Sequence, residues 1–362
     1  MIPVNALARR GCDVRPLVPV LEEASQSVLE FQNSGMSILE LSHRGKWYDP
    51  VHAEAQAQVL ATLGLSESEY ALALLGGGAS LQFAMLPLNF LGAGQTADYV
   101  DAGEWGAKAI GEARRVGTVH LAGSSKTTNY DRLPELTPSG NARYFHLTTN
   151  NTIEGTQVFA LPKTGGAPLI ADASSDIFGV DRDYSQFDLI YAGAQKNAGP
   201  AGVTMVVVRK SFLETAHKDL APMLSYQTQC EKQSLYNTPP VFPIYVLGLT
   251  LKWIAAEGGV AAIAARNQAK AEAIYDALDA CAPVFSSCVA IKEHRSWMNL
   301  TFRVATAELE KAFLAEAVAA GMDGLPGHRN VGGFRASIYN AFPMAGCDAL
   351  AALIRDFARR KG

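Results

Sequence analysis

The stretch Asp188-Leu-Ile-Tyr-Ala-Gly-Ala-Gln-Lys-Asn-Ala-Gly-Pro200 runs from apolar residues into small ones and delivers Lys196 into a turn bounded by Gly193 and Gly199. It has the form of a buried strand that ends in a turn. A second apolar run upstream, Pro168-Leu-Ile-Ala-Asp172, ends in an aspartate followed by Ala173-Ser174-Ser175. In an open α/β sheet the ends of neighbouring strands meet in one crevice, so a strand-end lysine and a strand-end carboxylate can face one ligand. Taken alone, Lys196 reads more readily as a solvated loop lysine and Asp172 as a helix cap. Together they fit pyridoxal-phosphate chemistry, in which a lysine amine bonds to the cofactor aldehyde and a carboxylate keeps the pyridine nitrogen protonated.

A phosphate seat is also legible. Leu72-Ala-Leu-Leu75 leads into Gly76-Gly77-Gly78-Ala79-Ser80 and then into Leu81-Gln-Phe-Ala-Met-Leu86, which has helical spacing. A glycine turn opening a helix presents backbone N–H groups and partial positive charge to an anion. No Gly-Lys-Ser/Thr follows, and the spacing is not that of a dinucleotide fingerprint.

Composition bounds the remaining possibilities. A chain of 362 residues exceeds the usual limit of one growing core, so two domains are expected. Apolar residues make up 48% and charged residues 18%, with a net charge of -4 and no basic stripe, which speaks against nucleic acid as a partner. The most apolar long segment, 241–256, contains Pro243 and Lys252 and is shorter than a membrane span requires, so it reads as a buried helix. Cys12, Cys230, Cys281, Cys288 and Cys347 form no CxxC pair and no ligand cluster with the seven histidines, so no metal is expected. An odd cysteine count without a secretory signal points to the cytoplasm.

Strand and helix signals alternate through the first two thirds of the chain. The pattern predicts helices from Pro19 through Phe31 up to Gly35, over 51–63 and over 104–115. It predicts strands at 96–100, 118–121, 144–147 and 204–208. After Gly258-Gly259 come a long alanine-rich helix over 260–280, a strand at 298–304, a helix over 307–320, a strand at 334–339 and a helix over 348–359. The expected fold class is α/β: a large domain (16–258) with a mostly parallel sheet flanked by helices, and a smaller α/β C-terminal domain (259–362) joined by residues 1–15.

The order and spacing of these motifs resemble the phosphoserine aminotransferase family, class V, fold-type I pyridoxal-phosphate enzymes. The resemblance rests on Leu41-Ser-His-Arg-Gly45, Gly76-Gly-Gly-Ala-Ser-Leu-Gln-Phe83, Ala97-Asp-Tyr-Val-Asp-Ala-Gly-Glu-Trp105, Asn151-Thr-Ile-Glu-Gly155, Tyr191-Ala-Gly-Ala-Gln-Lys-Asn197, Tyr236-Asn-Thr-Pro-Pro240, Gly327-His-Arg329 and Gly332-Gly-Phe-Arg-Ala-Ser-Ile-Tyr-Asn340. It covers the chain from about Pro19 onward. Relatives usually open with Asn-Phe-Ser/Tyr-Ala-Gly-Pro, whereas here Asn5 is followed by a different run through Leu17. That stretch is either diverged or a reading-frame error.

The resemblance implies pyridoxal 5'-phosphate as cofactor and transfer of the amino group of L-glutamate to 3-phosphohydroxypyruvate, giving O-phospho-L-serine and 2-oxoglutarate. It also admits 4-phosphohydroxythreonine, a precursor in pyridoxine biosynthesis. It implies Lys196 and Asp172 as catalytic residues. Cofactor contacts would come from Gly78, Ala79, Ser80, Trp105, Thr152 and Gln195, with Asn237 and Thr238 reaching across a homodimer interface. Arg335 would take the substrate α-carboxylate, and His43, Arg44, His328 and Arg329 its phosphate, with His328 and Arg329 among those completing a neighbour's site. Guanidinium groups suit these anions because they bind them through paired hydrogen bonds. Two other readings share the lysine and aspartate: a different class V transaminase such as an alanine-glyoxylate type, and a cofactor-binding protein with impaired turnover.

Overall fold

A computed structural model of the chain describes residues 17–329 and 331–361. The readings on the N-terminal run up to residue 16, on Cys12 and on the placement of residues 1–15 lie outside the described residues.

Among the described residues twelve strands form, most of them where aliphatic residues run together. They are β1 (Tyr70–Leu75), β2 (Thr96–Asp101), β3 (Thr118–Ser124), β4 (Phe145–Thr148), β5 (Asn150–Asn151), β6 (Thr156–Gln157), β7 (Leu169–Asp172), β8 (Leu189–Gly193), β9 (Thr204–Arg209), β10 (Phe285–Ser287), β11 (Asn299–Val304) and β12 (Phe334–Ser337). Seven make one sheet in the order β1-β9-β8-β7-β4-β2-β3. Its neighbours are parallel except at β9, which runs antiparallel to both β8 and β1. The sheet is thus mostly parallel, as the alternation of signals predicts.

Period-two alternation sends neighbouring residues of one strand into different cores. Leu74, Leu147, Ala171, Ile190 and Val207 pack on one face with Leu247 and Leu251 of the helix Val241–Ala256. Ala73, Ile170, Leu189, Tyr191 and Val206 pack on the other with Phe83 and Leu86 of the helix Gly78–Phe90. The segment 241–256 is therefore a core helix. Among the described residues no single helix is long and apolar enough to cross a membrane.

The C-terminal part is a three-stranded antiparallel sheet, β10-β11-β12. It packs on the helices Gly259–Ala280, Ala307–Ala319 and Met344–Lys361 around Phe285, Phe302, Phe313, Phe334 and Phe357.

Several boundaries shift from the sequence pattern, and two of the shifts have a visible cause. The first helix spans Val18–Leu29 and stops before Phe31, because Glu30 takes an extended backbone, and left-handed angles at Gln32 and Asn33 then turn the chain. Phe31 is still buried, against Tyr245. Strand β12 ends at Ser337 rather than Tyr339. The carbonyls of Ile338 and Tyr339 accept hydrogen bonds from the Lys270 ammonium instead of from a neighbouring strand.

Candidate active site

Parallel strands release their C-terminal ends on one side of the sheet, and the candidate residues collect there. Asp172 closes β7, and the pairing of Asp172 with Tyr191 sets it beside β8, from which the chain continues into Gln195 and Lys196. The glycine turn after β1 contributes the opposite wall. Gly77 has φ +90° and Gly78 φ +67°, angles that favour glycine, and the helix begins at Gly78. Gly78, Ala79, Ser80, Trp105, Asp172, Gln195 and Lys196 line one cavity of about 120 Å³, together with Thr148, Asn150, Ser174 and Ser175.

Lys196 Nζ lies 5.6 Å from the centroid of the Trp105 ring, and Lys108 Nζ lies 4.6 Å from it. Trp105 sits in the first turn of the helix Glu104–Ala113, and its Nε1 donates to Thr152 Oγ1 at 2.9 Å. Asp172 is buried, and its Oδ1 accepts from the Ser174 backbone N–H at 3.0 Å. Burial pushes its carboxyl above the usual range, while the Ser174 hydrogen bonding and the Lys196 charge pull the other way. A desolvated carboxylate of this kind gains from a second cationic neighbour.

A second cavity of about 330 Å³ shares Trp105 and Lys196 with the first and adds Thr152, His328, Arg329 and Arg335, with Lys108, Ser337 and Tyr339 among its other walls. Arg335 Nη1 donates to the Thr152 carbonyl at 3.1 Å, and its Nε is buried without a partner. Thr152 therefore stands in the wall between the tryptophan and the arginine, outside the lining of the smaller cavity. His328 and Arg329 line the cavity of their own chain. The chain leaves β11, passes through the helix Ala307–Ala319 and returns to β12, and His328 and Arg329 ahead of β12 share a cavity lining with Lys196.

His43, Arg44, Asn237 and Thr238 line neither cavity. Arg44 Nη2 donates to the Leu235 carbonyl at 3.2 Å, which ties the loop after Leu41 to the segment carrying Asn237 and Thr238. Arg44, Asn237 and Thr238 are exposed, and His43 Nε2 is buried without a partner.

The sequence reading missed Thr148, Asn150 and Lys108. Thr148 pairs with Asp172 across the parallel strands β4 and β7. That register is the signal, and it exists only once the strands are aligned.

The residues fit pyridoxal phosphate. A helix N-terminus with a glycine turn suits its phosphate, a buried carboxylate suits its ring nitrogen, and Thr148, which lines the same cavity, carries a buried hydroxyl without a partner. Comparison with known proteins agrees. The family model described as "Aminotransferase class-V" matches residues 17–350. A phosphoserine aminotransferase of Herpetosiphon aurantiacus is 49% identical over 346 residues, covering 95% of this chain and 96% of the relative. The solved structure of phosphoserine aminotransferase from Bacillus circulans subsp. alkalophilus superposes with a TM-score of 0.91 at 49% identity, covering 95% of this chain and 96% of that one. A pyridoxal-phosphate-bound phosphoserine aminotransferase from Trichomonas vaginalis superposes with a TM-score of 0.87 at 34% identity, covering 93% and 96%.

Proposed function

The chain belongs to the class V aminotransferase family, and from that premise we propose that it transfers the amino group of L-glutamate to 3-phosphohydroxypyruvate, giving O-phospho-L-serine and 2-oxoglutarate. The observation that carries this reading is the joining of two cavities at Lys196 and Trp105, one suited to the cofactor and one carrying Arg335, Arg329 and His328. Near half-identity to phosphoserine aminotransferases over almost the whole chain supports the choice of substrate.

Pyridoxal phosphate, when bound, supplies an aldehyde that takes up the amino group and a ring that accepts electrons. Gly78, Ala79 and Ser80 hold its phosphate through the helix N-terminus. Asp172 holds a proton on the ring nitrogen, and the low-polarity setting of the carboxylate strengthens that pairing. Trp105 fixes the plane of the ring, itself held by the hydrogen bond to Thr152. Lys196 would anchor the cofactor through its amine, and the same nitrogen would move the proton to and from the substrate α-carbon as general base and acid. Arg335 orients the α-carboxylate so that this proton faces Lys196. Arg329 and His328 bind the phosphate of phosphohydroxypyruvate or the side-chain carboxylate of glutamate, which explains how one site serves two unlike substrates.

The working unit in this reading is a homodimer in the cytoplasm. His43, Arg44, Asn237 and Thr238 are polar residues that their own cavity does not use, and a partner's cavity is their natural destination.

The test is a spectrum of the purified holoenzyme before and after L-glutamate, followed by addition of 3-phosphohydroxypyruvate. The lysine-bound form should convert on glutamate and return on the phosphorylated keto acid. Return with unphosphorylated hydroxypyruvate at equal efficiency would defeat the assignment.

A further inference from the structure

Lys196 and Arg335 lie on different sheets, yet a substrate presents its amine and its α-carboxylate on one carbon. Their separation must therefore be fixed closely, since a 1 Å misplacement can cost about 100-fold in rate. Lys196 follows β8 of the large sheet, and Arg335 lies on β12 of the small one. A chain of buried polar side chains joins the two. Asn197, the residue after Lys196, accepts at Oδ1 from the Asn340 backbone N–H at 3.0 Å and donates to the Ser175 carbonyl at 3.1 Å. Asn340 follows β12 closely, and its side chain donates to the Phe178 carbonyl at 3.1 Å and accepts from Asn267 at 2.8 Å. Asn267 also donates to the Gly179 carbonyl at 3.0 Å. One turn further along the same helix, Lys270 donates to the carbonyls of Ile338, Tyr339 and Phe342 at 2.9, 2.9 and 3.2 Å.

Asn197, Asn267, Lys270 and Asn340 are all buried. Burying an ammonium is costly, and burial pushes Lys270 down to about 7. Three carbonyls meet its three N–H donors, so the turn 338–342 is gripped at three points. Packing around the brace leaves little slack, because a Cβ on Gly179 would stand 2.8 Å from Asn340 Oδ1 and 3.1 Å from Asn197 Nδ2.

We propose that Lys270, Asn267, Asn340 and Asn197 are positioning residues that set the distance between Lys196 and Arg335. None of them lines either cavity, so they act through the two residues they join. The proposal rests on the transaminase reading above.

The experiment compares the holoenzyme with its Asn197→Ala, Lys270→Met and double variants. Two quantities are measured: the rate of the glutamate half-reaction at saturation, and the Kd for glutarate, which offers two carboxylates without an amine. Each single variant should slow the half-reaction by about 10- to 100-fold while glutarate binding stays within about twofold, because Arg335 remains but no longer stands in register with Lys196. The double variant should be no slower than the slower single one, since both cut the same brace. Glutarate affinity falling in step with the rate, multiplicative losses, or rates close to the parent's would each overturn the proposal. If Lys270→Met does not fold, Asn267→Ala replaces it with the same expectations. Failure of the transaminase reading itself would appear in the parent, which would not convert glutamate.

Discussion

Thr148 and Asp172 stand opposite each other at the last register position of the parallel pair β4 and β7, and both line the cavity that holds Lys196. The carboxylate is hydrogen-bonded by Ser174, whereas Thr148 Oγ1 has no partner. A buried hydroxyl of this kind is a cost to the empty protein and a contact for its ligand. Thr148→Val should therefore weaken cofactor binding by about 0.5–1.5 kcal/mol, roughly 2- to 12-fold, while the cofactor-free protein melts no lower than the parent. Titration of the apoprotein and its melting curve check both parts, and unchanged affinity would remove Thr148 from the cofactor site.

Lys196→Ala should lose the covalent link to the cofactor, so that borohydride no longer fixes it to the chain, and transamination should fall by several orders of magnitude. A retained reducible link would move the anchor to another lysine. Asp172→Ala should bind cofactor less tightly and slow proton transfer, because the ring nitrogen loses its counter-charge. Near-normal turnover would exclude the aspartate from the mechanism.

Arg329→Ala and Arg44→Ala should each cost about 1.5–3 kcal/mol against the phosphorylated substrates, roughly 10- to 150-fold in kcat/KM, with a smaller loss in the glutamate half-reaction. Arg335→Ala should damage both half-reactions, since every substrate carries an α-carboxylate. If the two phosphate-site variants keep the parent's preference for phosphorylated over unphosphorylated hydroxypyruvate, a different class V transaminase becomes the better reading.

Mixing subunits tests the dimer. Lys196→Ala and Arg44→Ala chains, refolded together, should form hybrids in which one of the two sites regains both residues. Recovery of activity above either parent variant is the expected result. No recovery in hybrids verified by native mass would place Arg44 in its own chain's chemistry.

His146 supplies a pH signature for the fold. It is buried between Tyr99 and Tyr191, its Nε2 is 2.8 Å from the Tyr191 hydroxyl, and burial pushes its pKa down to about 3 from the ordinary 6.5. Between those values the unfolded chain binds a proton that the folded chain refuses. Stability should therefore fall as pH drops from 6.5 towards 3, by at most about 1.4 kcal/mol per pH unit from this residue, with no slope above 6.5. His146→Gln should flatten that part of the curve in denaturant titrations at successive pH values. Superimposable slopes for the two proteins would show that other groups carry the acid sensitivity.

The sequence by itself determined the layers and most of the site. Alternation of apolar runs and helical stripes defines the mostly parallel sheet, because burial on both faces demands continuous aliphatic strands. Lys196, Asp172 and the triple glycine are legible because strand ends in such a sheet converge whatever the loops do. Register is not local, so the pairing of Thr148 with Asp172 could not be read from either strand alone. Long-range return of the chain decided two further matters. His328 and Arg329, distant in sequence, line the cavity with Lys196, while the Arg44 hydrogen bond to Leu235 ties Arg44 to the segment of Asn237 and Thr238, none of which lines it. The end of β12 was likewise set by a residue distant in sequence: Lys270 needs three acceptors in the core and takes them from the carbonyls just past the strand. Side-chain demands of that kind have no period in the sequence, so only the tertiary structure could settle them.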